Sequence, residues 1–269
     1  MSERESWQVT RTLRALEALA LGPHSALDLA DALLIHPRTA RRMLDRFVHE
    51  GFATRTRDPP RKYVATLRLV ALAGQVVQNT EVVQAAQGHL SRLAEETGLV
   101  AHLSVPSLLS VVCVLHAEAR RQKPVPSLGE RIPAHATAAG KTLLAFRDGW
   151  RSSVLQQALE PFTALTVTER ALLEAELCRT RTRGYAVEDG EYRDDQAGIA
   201  VPVFSHTCEA VAALGISGPR DRFTRGSRRS LASVVTEAAA TVSHDIGYGA
   251  ERSQDRSAHD SAARLHLVP

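Results

Sequence analysis

Apolar residues recur at helical spacing three times within the first fifty positions. The first run extends from Val9 to Leu21 and stops at Gly22-Pro23, a pair that ends helices. The second opens at Ser25, with Asp28 three residues on, the spacing of a capping box. The third follows Pro37, a residue suited to a first helical turn, and carries one stripe of Ala40, Met43, Leu44, Phe47 and Val48 before Gly51. The pattern then shortens: Phe52–Thr56 and Lys62–Thr66 are predicted as strands around an Asp58-Pro59-Pro60 turn. Residues 67–79 return to helical spacing and are mostly apolar (Leu69, Val70, Leu72, Ala73, Val76, Val77). That apolar surface needs cover from a partner chain or from the rest of this one.

From Thr80 the rhythm mixes both periods. A helix over 81–97, closed by Gly98, leads into "LVAHLSV" and "LLSVVCVLH", which read as a hairpin. A loop containing Pro124, Pro126 and Pro133 follows, then helices over about 138–146, 151–159 and 169–181. "GIAVPVFS" and "EAVAALGISG" form a second hairpin, and a last helix runs over about 226–246. Hairpins with interspersed helices predict an α+β sheet domain. The boundaries are 1–66 for a winged helix-turn-helix, 67–79 for a linker helix and 80–248 for the sheet domain. Residues 249–269, polar and rich in Ser, Asp and Arg, are expected to be a disordered tail.

Charge sharpens the division. The chain has 33 basic and 30 acidic residues, a formal +3. Residues 37–62 alone hold 8 basic and 3 acidic side chains, and residues 63–269 balance at 22 of each. On the third helix Arg38, Thr39, Arg41, Arg42, Asp45, Arg46 and His49 occupy the face opposite the apolar stripe, and the hairpin adds Arg57, Arg61 and Lys62 at its tip. A solvated surface helix accounts for such a face when it stands alone. An Arg-rich third helix followed by a basic hairpin is instead a coherent duplex-binding device, the helix entering a major groove and the wing touching backbone phosphate. Aromatics at 4% leave no stacking platform for single strands.

The sheet domain offers less chemistry. "AAGKT" invites a phosphate-loop reading, but His135 stands where that motif needs a glycine. Ala138-Ala139-Gly140 would open a helix whose N–H groups and dipole favour an anion, against the plainer reading of a tightly packed helix start. Glu188, Asp189, Glu191, Asp194 and Asp195 read as a solvated acidic loop, with Glu191 turned partly inward. Cys113 and His116, three apart on a strand, are expected on opposite faces. No metal site, cofactor turn or nucleophile elbow is recognised, so no catalytic residue is assigned. Three widely spaced cysteines suggest no disulfide framework. With no signal core and no long apolar run, the expectation is a soluble cytoplasmic protein.

Two blocks together resemble the IclR family of bacterial transcription regulators: "LADALLIHPRTARRMLDRFVHEGFATR" with "YVATLRLVALA", and "RIPAHATAAGKTLLAF" with "RGYAVEDGEY" and "GIAVPVFSHTCEAVAALGISGPRDRF". The resemblance implies a GAF-like effector-binding domain behind the winged helix, homodimers or homotetramers on palindromic operators, and a small effector, often a carboxylate. It places recognition on Arg38, Thr39, Arg41 and Arg42. It lines the effector cavity with Ala136–Gly140 (Thr137, Ala138, Ala139 and Gly140 foremost), Glu191, and the strand at Gly198 and Ile199. The function expected is a transcription regulator, most simply a repressor. The alternatives are a constitutive regulator without an effector, or an enzyme that uses the winged helix only to dimerise.

Overall fold

The computed structural model describes residues 3–57, 59–119 and 128–249. They fall into two compact units that divide between Val77 and Gln78. Asp58 of the wing turn, Pro124 and Pro126 of the long loop, and the expected tail beyond Gly249 lie outside the described residues.

The first unit packs α1 (Glu3–Leu21), α2 (Ala26–Leu33) and α3 (Pro37–His49) against a two-stranded sheet of β1 (Ala53–Arg55) and β2 (Tyr63–Ala65). Ser25 caps α2 as its spacing requires: the Ser25 hydroxyl accepts from the Asp28 amide at 3.1 Å, and the Asp28 carboxylate accepts from the Ser25 amide at 2.8 Å. Ala40, Leu44 and Phe47 of α3 join Ala15, Leu19, Leu29 and Tyr63 in one core. The strands are shorter than the pattern suggested, yet the sheet is extended by His24, whose backbone pairs with Tyr63. Leu34, closing α2, has a left-handed backbone (φ 52) and is 88% exposed, at a turn where glycine would relieve the strain. α4 (Arg68–Gln78) follows the wing and buries none of its residues.

The second unit is built on a six-stranded antiparallel sheet in the order β5-β4-β3-β8-β7-β6. Its strands are β3 (Val100–Ser107), β4 (Ser110–Glu118), β5 (Arg131–Pro133), β6 (Ala186–Asp189), β7 (Gln196–Phe204) and β8 (Ala210–Pro219). β5 and β6 were not anticipated: each has four residues or fewer, too few for a period to show. α5 (Glu81–Thr97) and α9 (Arg225–Asp245) contact the sheet, as does α6 (Ala138–Phe146), which also carries α7 (Asp148–Leu155) and α8 (Arg170–Arg183). Gly98 and Gly184 end α5 and α8 in the left-handed region, as their positions in the sequence suggest.

α6 is buried from Ala138 to Ala145. Gly140 allows this, because a Cβ there would sit 2.2 Å from the carbonyl oxygen of Ala134. An irregularity at Leu103/Ser104 shifts the β3–β4 register so that His116 lies opposite His102 and Cys113 opposite Ser104. Cys113 and His116 therefore share a face, which corrects the simple alternation expected of a strand.

Candidate functional sites: an arginine face and a cavity under a helix end

In the first unit, α3 begins at an unexpected cap. The Nδ1 of His36 accepts from the Arg38 amide at 3.1 Å, and Pro37 holds the first turn. Arg38, Thr39, Arg41, Arg42 and Arg46 are all exposed along the outer face. Among the described residues Arg38, Arg41 and Arg42 form no ion pair, while Arg46 meets Glu50 at 3.1 Å in a solvent-screened pair that costs little to open. Asp45 leaves this face. Its carboxylate takes hydrogen bonds from Arg55 (2.7 Å) and Tyr63 (2.9 Å), which hold it below the usual carboxylate range. Arg55 and Asp45 thus brace the wing against α3. On the wing, Arg57 and Arg61 are exposed and Lys62 is half-buried.

The second unit contains a cavity of about 40 Å³ between α6 and the sheet. Its roof is the start of α6: Thr137, Ala138 and Ala139. Its floor is Gly198 of β7, Ser217 of β8, Glu188 of β6 and His102 of β3, with Ile132, Tyr192, Arg193 and Gln196 around them. The Thr137 hydroxyl accepts from the Gly140 amide at 3.3 Å and donates to the Pro133 carbonyl at 2.8 Å. Among the described residues the Ala138 and Ala139 amides have no partner, as the first turn of a helix leaves them.

Thr137, Ala138, Ala139 and Gly198, picked from the sequence, come together here, and three other residues do not. Gly140 faces Ala134. Ile199 is buried one residue on from Gly198 and so points to the opposite face of the sheet. Glu191 turns to Lys141 of α6, forming a buried ion pair at 2.5 Å and lining a separate charged cleft with Glu176, Arg183 and Asp189.

The acidic loop is also not simply solvated. Glu188 is buried, accepts from the Glu191 amide at 2.7 Å and the Tyr192 amide at 3.2 Å, and is pushed up to about 7 by burial. Asp189, one residue on and on the opposite side of the strand, meets Arg220 at 2.7 Å and also Arg228. Only Asp194 and Asp195 stand in solvent. His135, which spoils the phosphate-loop motif, has its Nε2 within 3.0 Å of the Glu160 carbonyl.

Sequence reasoning missed His102, Ser217, Glu188 and the Tyr192–Gln196 rim. A signal existed for His102: it stands two residues from Ser104 in an otherwise apolar strand, so both polar groups fall on one face. His102 is 4% exposed, and burial, with His116 beside it, brings its pKa down to about 4. Among the described residues no group of three or more His, Cys, Asp or Glu could hold a metal. None of the described helices is long and apolar enough to cross a membrane.

The family model for the bacterial transcriptional regulator IclR C-terminal domain matches residues 74–244. The glycerol operon regulatory protein of Streptomyces griseus is 32% identical over 82% of this chain and 88% of its own length. The Thermotoga maritima IclR structure aligns with a TM-score of 0.69 at 27% identity, covering 90% of this chain and 99% of that one. An IclR homologue from Microbacterium hydrocarbonoxydans, solved in complex with 4-hydroxybenzoate, aligns with a TM-score of 0.76 at 25% identity, covering 88% and 98%. With an arginine face on a winged helix and this sheet domain behind it, the chain belongs to the IclR family of DNA-binding transcription regulators.

Proposed function

We propose that this regulator binds a palindromic operator as a homodimer, or as a homotetramer made of two such dimers, and that a small organic acid in the α6 cavity modulates the binding. Arg38, Thr39, Arg41, Arg42 and Arg46 face the major groove, and Arg57, Arg61 and Lys62 meet backbone phosphate. The observation that carries the acid reading is the Ala138 and Ala139 amides at the start of α6, which have no partner among the described residues and roof the cavity. Amides there, with the positive end of the helix dipole, suit a carboxylate. The dimer reading is supported by α4, which buries nothing and exposes Val70, Leu72 and Val76, and by Val9 and Leu13 exposed on α1. A second copy would cover that apolar surface and match the two-fold symmetry of a palindrome. Repression in the cytoplasm is the simplest setting for such a device.

Selection of bound duplexes from a random pool, at low and near-physiological salt, tests the DNA half. One palindromic motif surviving the higher salt is expected; salt-sensitive binding without a motif would reduce the arginine face to phosphate attraction. A thermal-shift screen of organic acids, including 4-hydroxybenzoate, tests the effector half, because a ligand bound only by the folded state raises Tm. A flat screen would favour a constitutive regulator.

A further inference from the structure

Glu188 is an acid that the cavity wall already contains. Its neighbour across the sheet is Gly198, where a Cβ would lie 3.7 Å from the Cβ of Ala138 above it. One inter-strand step, about 5 Å, therefore separates the strand of Glu188 from the ground beneath the Ala138 and Ala139 amides. The Glu188 carboxylate is held from one side. Among the described residues both of its hydrogen bonds fall on Oε1, from the amides of Glu191 and Tyr192. Oε1 is thus fixed as an acceptor, and a proton on this group belongs on Oε2.

The charges around Glu188 include no uncommitted counter-ion. On α6 the Lys141 ammonium bonds Glu191 at 2.5 Å and attracts Glu188 only at longer range. On β6 itself Asp189 points the other way, to Arg220 and Arg228. From α8 comes Glu176, paired with Arg179 and Arg183, and β7 brings no ionisable side chain. His102 of β3 is buried and neutral at pH 7. On the rim, Tyr192 and Arg193 both meet Glu130 at 3.4 Å, and the Arg193 side chain is 41% exposed, so its charge is screened.

A second carboxylate entering beside Glu188 meets a like charge unless Glu188 is protonated. Burial has already moved that balance, with the folded pKa at about 7. Once neutral, Glu188 is a donor, and an O–H facing a carboxylate makes a short, charge-assisted hydrogen bond. We propose that Glu188 enters the complex as a carboxylic acid, donating its Oε2–H to the acid held at Ala138 and Ala139, so that ligand binding takes up one proton from solvent. The proposal rests on the acid reading above and adds a regulation to it: the protein answers a given acid more strongly as pH falls through neutrality.

Calorimetric titration of the full-length protein with acetate, pyruvate, benzoate and 4-hydroxybenzoate at pH 6, 7 and 8 tests it. Each run is made in two buffers of different ionisation enthalpy, so that protons are counted. The carboxyl groups of the probes are ionised across that range, and the protons counted are the protein's. For the tightest-binding probe, uptake should rise from about a tenth of a proton at pH 6 to about nine-tenths at pH 8, with Kd weakening about tenfold over the same interval. Glu188→Gln, which offers an amide N–H where the acid offers its O–H, should take up no proton and bind with a Kd that does not change with pH. Less than about half a proton at pH 8 in the wild type, or an uptake that survives Glu188→Gln, would overturn the assignment while leaving the acid reading intact. The wild-type count decides even if the variant fails to fold. If none of the four acids binds, the acid reading fails and the role of Glu188 falls with it.

Discussion

In the first unit Arg38, Arg41 and Arg42 are exposed and, among the described residues, form no ion pair; in the second, Lys141 and Glu191 are paired in the interior and His102 and Glu188 are buried beside a cavity. Polar and charged side chains thus stand in two opposite settings. Exposed guanidinium groups cost the fold nothing and keep their charge available to a polyanion. Buried polar groups are held against a desolvation penalty, which ties their geometry to the packing around them. Substitutions should therefore separate: those on the arginine face are expected to act on DNA affinity with little effect on stability, and those at the buried polar groups to act on stability first.

The largest effect is expected at the buried pair. Glu191→Ala takes the hydrogen-bonded partner from the buried Lys141 ammonium, leaving it only the longer-range attraction of Glu176 and Glu188, and should lower unfolding stability by about 3 kcal/mol in denaturant titration, whereas the double change Lys141→Met with Glu191→Leu should recover much of it. Arg42→Ala should weaken operator binding by about 1–3 kcal/mol and relax preference at one base position, with stability within about 0.5 kcal/mol of wild type. A uniform loss across sequences would move Arg42 to the phosphate contacts.

Glu188 gives the comparison a pH axis. Its folded pKa is raised from 4.5 to about 7, so between those values the folded form holds more protons than the unfolded chain. Its contribution to stability is present at low pH and lost as pH rises through 7. Glu188→Gln, which keeps the shape without the charge, should gain about 1–2 kcal/mol on wild type between pH 5.5 and 8. Equal slopes would place Glu188 in a wetter setting. The smallest effect is expected at Leu34→Gly, which relieves a left-handed backbone at the helix-turn-helix and should add about 0.5–1 kcal/mol, read as a rise in Tm.

The first unit was the more legible in sequence because its signals are local. The Ser25–Asp28 cap, Pro37 and the Ala40–Val48 stripe each declare a helix within a few residues, and the charge on the opposite face follows from the same period. The cap of α3 escaped, since His36 acts through a ring nitrogen where a Ser or Asp is the usual sign. In the second unit the helix start at Ala138 could be read, but its surroundings could not. The register shift at Leu103/Ser104, which sets His116 beside His102, arises only when β3 and β4 pair. The partition of Glu188 inward, Asp189 outward and Glu191 onto Lys141 depends on β6 and on a contact 50 residues away in the chain.

If the first unit reads duplex and the second binds an acid that modulates it, the two ligands are thermodynamically linked, and reciprocal linkage is the most direct test. The dissociation constant of the full-length protein for its selected operator is measured by fluorescence anisotropy with and without a saturating acid that raises Tm, and the acid's own constant is measured with and without operator. One coupling factor, about 5–150-fold and equal in both directions, is expected. A factor of one, with both ligands bound, would contradict the account.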